Sequence, residues 1–125
     1  MTEPLPPTGL DIEAVDRNGH VTLHLRGELD IASVPSLEAA VARVPAESTS
    51  ALTLDLSGLL FIDSTGLAAI VLAGKLCERS GYEFVLVPGP SAVQRLFELT
   101  GLIDVLPFLE ADLPSRNPEE GSLQR

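Results

Sequence analysis

Leu52-Thr53-Leu54-Asp55-Leu56, then Ser57-Gly58-Leu59-Leu60-Phe61, then Ile62-Asp63-Ser64-Thr65-Gly66-Leu67 reads as a buried strand, a short connection and a polar helix start. Leu52, Leu54 and Leu56 alternate with Thr53 and Asp55, the period that puts one side of a strand on a core. Asp63 or Ser64 can accept a free N–H of the apolar helix that follows, because a short oxygen-bearing side chain reaches the first turn. Ser64 therefore falls at a helix N-terminus, where its hydroxyl is within reach of chemistry.

Working outward, Leu10 to Val15 and His20 to Arg26 flank Arg17-Asn18-Gly19. Asn-Gly between strand-like runs signals a hairpin, since both residues tolerate positive φ. Val21, Leu23 and Leu25 face the core in this reading. Thr22, His24 and Arg26 take the other side, and Gly27-Glu28-Leu29-Asp30 marks the strand exit. Leu37, Ala40, Val41 and Val44 form one apolar helical stripe that Pro35 opens and Pro45 ends.

Downstream of Ser64, Leu67, Ile70, Val71 and then Leu76 or Cys77 give a second helix its core side before Ser80-Gly81. Ala68, Ala69, Ala73 and Gly74 keep that helix slim, which predicts close packing against the sheet or a third helix. Phe84 to Val87 is a short apolar strand ended by Pro88-Gly89-Pro90. Val93, Leu96, Phe97 and Leu99 to Thr100 make a third helix with Gly101 as its left-handed cap, and a last strand is expected at Ile103 to Leu106.

The order β-β-α-β-α-β-α predicts an α/β fold: a mixed, mostly parallel sheet of four to five strands after a leading hairpin, with about three helices packed on it. Residues 1–9, with Pro4, Pro6 and Pro7, read as a flexible leader, and 10–110 as one domain. Residues 111–125, with Pro114, Pro118 and little apolar periodicity, read as a disordered tail.

The chain has 125 residues, 45% of them hydrophobic, which suffices for one sizeable core. Against 8 Lys+Arg stand 18 Asp+Glu, a net charge of −10. A nucleic-acid backbone or an anionic membrane surface would be repelled, so a protein partner is expected. No apolar run approaches the roughly 20 residues needed to cross a bilayer, and residues 1–9 carry neither a basic nor an apolar region of a targeting segment. Cys77 stands alone and fits a reducing cytoplasm.

The run Asp55-Leu-Ser-Gly-Leu-Leu-Phe-Ile-Asp63-Ser64-Thr65-Gly66-Leu67 resembles the signature of STAS-domain anti-sigma factor antagonists. Gly27-Glu28-Leu29-Asp30 resembles a second landmark of that family, and Pro90-Ser91 through Gly101-Leu102 resembles its third helix. The resemblance spans roughly residues 10 to 107, most of a domain of ordinary size.

The resemblance implies that Ser64 is the phosphorylated serine. It further implies that the unphosphorylated chain binds an anti-sigma factor with serine kinase activity and releases its sigma factor. The kinase would then modify Ser64 and free itself, and a serine phosphatase would restore the binding form. By the same resemblance Glu28, Leu29 and Asp30 lie near Ser64 and join Asp63, Thr65, Gly66 and Leu67 in the partner-binding surface, with Asp63 in recognition and capping and Thr65 and Gly66 at the close contact. The chain is then a ligand and substrate rather than an enzyme, with no cofactor.

Physical chemistry allows such a switch. A phosphate adds about −1.5 to −2 charges and three strong acceptors; the helix dipole favours it while Asp63 repels it. The fold should survive, whereas a close interface over the helix start should not.

Plainer readings stand beside this one. Asp63-Ser64-Thr65-Gly66 alone suits an ordinary helix cap, and Glu28 and Asp30 suit solvated carboxylates at a strand exit. His20 and His24 share a strand face but lack a further ligand nearby for zinc. Asp55 and Asp63 do not frame a sugar cleft, and a Gly-x-Ser-x-Gly elbow is missing, with no histidine after Ser64. Two alternatives remain open: a receiver-like domain phosphorylated on Asp55, with Lys75 the sole lysine, and a non-switching scaffold module of the same fold.

Overall fold

The computed structural model describes residues 9–109, so the expected leader, Gly9 apart, and the expected tail lie outside the described residues. Strands β1 (Leu10–Arg17) and β2 (His20–Leu29) form an antiparallel hairpin. Its two-residue turn has positive φ at both Asn18 (56°) and Gly19 (90°), the form that matches the strands' own twist. Strand β3 (Ala51–Ile62) lies parallel to β2, and β4 (Glu83–Val87) parallel to β3, in the sheet order β1-β2-β3-β4. Helices α1 (Val34–Ala42), α2 (Ser64–Ser80) and α3 (Ser91–Thr100) connect and follow these strands.

Val21, Leu23 and Leu25 of β2 and Leu52, Leu54 and Leu56 of β3 are buried together with Leu37 and Val41 of α1, Ile70 and Cys77 of α2, and Val93 and Phe97 of α3. Of the two candidates near the end of α2, Cys77 enters the core and Leu76 stays exposed, and burial pushes the Cys77 thiol up to about 11. Gly74 makes the predicted close approach, to the sheet: a Cβ there would stand 2.9 Å from the Phe84 ring.

The opposite face of the sheet is polar. His20 Nε2 lies 2.8 Å from Thr53 Oγ1 and His24 Nδ1 lies 2.7 Å from Asp55 Oδ2, so both histidines are partnered across to β3. Arg26 bridges to Asp11 at 3.0 Å and Glu13 at 3.3 Å.

Two expectations are corrected. Residues 57–61 are not a connection: β3 continues through them, pairing Arg26 with Gly58, Gly27 with Leu59, Glu28 with Phe61 and Leu29 with Ile62. Register shifts between His24 and Arg26 and between Gly27 and Glu28 each give β3 one extra residue. The buried positions Leu56, Leu59 and Ile62 are consequently three apart, not two, and the strand loses the alternation by which it would be recognised.

No strand forms at 103–106. Gly101 turns the chain at φ 81°, Leu102–Asp104 makes a 3₁₀ turn, and the amides of Val105 and Leu106 both donate to the Leu102 carbonyl at 3.0 Å. Those donors are thereby lost to a ladder, and the chain meets the sheet edge only at Phe108, in a single parallel bridge to Leu86.

Candidate functional site

Because β2 and β3 run parallel, their C-terminal ends lie at one edge of the sheet, the usual place for a site in such folds. Leu29 and Ile62 are the last register pair, so Asp30 and Asp63 follow side by side. The two ends are tied: the Asp63 amide donates to the Leu29 carbonyl at 3.2 Å. Asp30 is thus brought to the start of α2, while Glu28 pairs with Phe61 two residues earlier and its carboxylate lies near Gly9.

Asp63, extended at ψ −175°, is the N-cap of α2, and its Oδ1 accepts the Gly66 amide at 2.9 Å. Its carbonyl accepts the Leu67 amide at 3.0 Å, which starts the helical ladder. Ser64 is the first helical residue and is exposed; among the described residues its hydroxyl takes no protein partner. Thr65 is half-buried. The amides of Ser64 and Thr65 belong to the unpaired first turn, whose positive end faces solvent.

The expected partner-binding residues divide by exposure. Glu28 is exposed, and Asp30, Asp63 and Thr65 are half-buried. Leu29 at 0% and Leu67 at 4% exposure are core, and Gly66 is buried against the Leu29 carbonyl. These three residues hold the site's backbone in place and offer no surface of their own, because the strand end and the first helical turn close over each other.

Asp30 has a second task. Its Oδ1 accepts the amides of Ala32 and Ser33, each at 3.1 Å, which folds the β2–α1 loop into a tight turn.

Several residues were not singled out in the sequence. Ile31, 73% exposed, crowns that loop, and Leu60 at 77% and Phe61 at 49% flank the end of β3. Beyond Asp55, β3 has no β4 partner, and α3 lies beside the overhang. Leu60, Phe61, Ala92, Leu96 and Leu99 there line an apolar groove of about 200 Å³ that runs up to Ile62. The signal was an unbroken Leu59-Leu60-Phe61-Ile62 run, too apolar for a surface connection. A larger groove, about 950 Å³, lies between α3 and residues 103–109 and contains neither Ser64 nor any of the expected partner-binding residues.

Asp55 sits in mid-strand beside His24 and Ser57. Burial pushes its carboxyl up, but hydrogen bonds from the Ser57 hydroxyl and amide and from His24 outweigh that and hold it below the ordinary carboxylate range. The carboxylate is engaged on the polar sheet face. Among the described residues, no group of three or more His, Cys, Asp or Glu is placed to hold a metal, and no helix is long and apolar enough to cross a membrane.

Residues 11–113 match the STAS domain family. The chain is similar to the anti-sigma-B factor antagonist of Staphylococcus aureus, 30% identical over 97 residues covering 78% of this chain and 90% of that one. It is 31% identical over 96 residues to the anti-sigma-F factor antagonist RsfB of Mycobacterium tuberculosis, covering 77% and 78%. The crystal structure of an anti-sigma factor antagonist from Mycobacterium paratuberculosis superposes with TM-score 0.71 at 26% identity over 96% of this chain and 98% of that one. Fold, motif order and relatives agree: the chain belongs to the STAS-domain family, in its group of anti-sigma factor antagonists.

Proposed function

We propose that this protein binds an anti-sigma factor with serine kinase activity, so that the sigma factor is released, and that phosphorylation of Ser64 reverses the binding. The observation that carries this reading is an exposed serine at the first position of α2, with the end of β2 tied beside it by the Asp63 amide on the Leu29 carbonyl. The names of the relatives support an anti-sigma factor as the partner.

The unmodified surface suits docking. Ile31, Leu60 and Phe61 offer apolar area for desolvated contact, and Glu28, Asp30 and Asp63 give it an acidic character that fits basic groups on a partner. A dianion at Ser64 remains comfortable in water beside the free amides of the first turn. Under a docked partner it must be desolvated with acidic neighbours, a penalty of several kcal/mol. Phosphorylation therefore dissociates the complex without unfolding the domain, and a serine phosphatase resets it. The chain is a ligand and a substrate, not an enzyme, and works in the cytoplasm with the transcription machinery.

Affinity capture from the cell's own lysate tests this, with Ser64→Ala as bait beside Ser64→Asp and mass spectrometry of the retained proteins. Retention of a serine kinase of the anti-sigma type by alanine and its loss by aspartate is the expected result. Equal retention by both baits, or by neither, contradicts the proposal and favours a non-switching scaffold.

A further inference from the structure

Ser33 stands at the N-cap position of α1, and serine there ordinarily accepts an amide of the first turn. It does not do so: α1 has no side-chain cap hydrogen bond. The side chain is fully buried and turns back into the β2–α1 loop. Its Oγ accepts the Asp30 amide at 2.9 Å and lies 2.8 Å from the Glu28 carbonyl, to which it donates. The backbone of Ser33 is already helical at φ −102° and ψ −11°, and the cap is carried by Asp30, whose carbonyl accepts the Val34 amide at 2.9 Å; the Ser33 hydroxyl that takes the Asp30 amide is the return bond of a capping box.

What the hydroxyl holds is the pair of residues on either side of Leu29. Leu29 in turn offers its carbonyl to the Asp63 amide, at the N-cap immediately before Ser64. A continuous chain of contacts thus runs from the start of α1 to the start of α2. Among the described residues, each link is a backbone group with its polar partner buried or half-buried.

We propose that Ser33 is a positioning residue for partner docking: its hydroxyl fixes Glu28 and Asp30, through Leu29, at the spacing from Ser64 that the anti-sigma kinase reads. This rests on the reading of Ser64 as the docking and phosphorylation site. Ser33 itself is inaccessible and touches no partner; it acts by keeping the loop in the bound arrangement before binding, which lowers the ordering cost of association.

The test compares Ser33→Ala, the near-isosteric Ser33→Cys and the hydroxyl-retaining Ser33→Thr in the full chain. The probe is the purified kinase that the Ser64→Ala bait retains. Isothermal titration should show Ser33→Ala weakening binding at least tenfold, Ser33→Cys weakening it in the same direction, and Ser33→Thr recovering most of the affinity. The kinase's KM for the chain should rise with kcat within about twofold. In the free protein, amide exchange should quicken at Asp30 and Asp63 more than in the β1–β2 hairpin.

A merely structural serine would lower the unfolding temperature yet leave Kd and KM of the folded chain within twofold of the parent, and that result overturns the proposal. Should Ser33→Ala fail to fold, Ser33→Cys decides by the same readouts. If no kinase is retained and Ser64 is never modified, the underlying reading has failed on its own; unchanged exchange at Asp30 and Asp63 would separately refute the link from Ser33.

Discussion

Gly66 packs so closely on Leu29 that a Cβ on the glycine would stand 2.6 Å from the Leu29 carbonyl oxygen. The same Cβ would meet Ile62 Cγ1 at 2.9 Å and Leu29 Cγ at 3.0 Å. A backbone oxygen cannot swing aside as a flexible side chain can. The absence of a side chain at Gly66 is what lets the start of α2 close against the end of β2 and bring Ser64 to the end of that strand.

Gly66→Ala is therefore expected to destabilise the domain by about 2–3 kcal/mol, the upper part of the range for overpacking a filled site. Urea unfolding monitored by circular dichroism measures it. Unchanged stability would show that the two ends are not in rigid contact.

Asp63→Ala removes the cap that holds the Gly66 amide and should cost about 1 kcal/mol. Asp63→Asn should lose less, since an amide oxygen still accepts that bond. Equal losses from both, in the same unfolding experiment, would mean that charge rather than capping is what α2 draws from this residue.

Gly74→Ala sets two effects against each other. Alanine should gain about 1 kcal/mol in a helix interior, but its Cβ would press on the Phe84 ring at 2.9 Å, an overpacking cost of about 1–3 kcal/mol. Net destabilisation is expected, and a raised unfolding temperature would show that the ring yields freely.

The Asp55 carboxyl titrates below its ordinary value of 3.8 in the folded chain. A depressed folded value means that the folded state favours the charged form, so this stability is present above 3.8 and is lost as pH falls through the lower, folded value. Asp55→Asn should give a shallower fall of unfolding free energy between about pH 5 and pH 2 than the parent. Parallel slopes would mean that the Ser57 and His24 bonds do not favour the carboxylate.

What could be read from the sequence was local chemistry. Asn18-Gly19 announces its hairpin because positive φ is a property of those two residues, and Asp63 announces the start of α2 because a cap needs only its own turn. The second half of β3 was hidden because two bulges change its buried spacing from two to three. A false strand was expected at 103–106 because apolar content does not reveal that two amides are already held by the Leu102 carbonyl.

At the site, Ser64 and Asp63 could be placed from their own neighbourhood, whereas the burial of Leu29 and Leu67 depends on two segments meeting from distant parts of the chain. Ser33 was invisible for a related reason. The partners of its hydroxyl, the Asp30 amide and the Glu28 carbonyl, come within reach only once the loop is folded. The partners of His20 and His24 lie on β3, fixed by strand register rather than by any motif.

The central claim is that one phosphate at Ser64 controls association. Its most direct measurement is the affinity of the purified anti-sigma kinase for the unmodified chain and for the same chain phosphorylated only at Ser64, by isothermal titration at physiological salt. The account predicts a loss of at least about 100-fold, the equivalent of about 2.7 kcal/mol of desolvation and repulsion, with unfolding temperatures alike. Affinities within a few-fold of each other would contradict it.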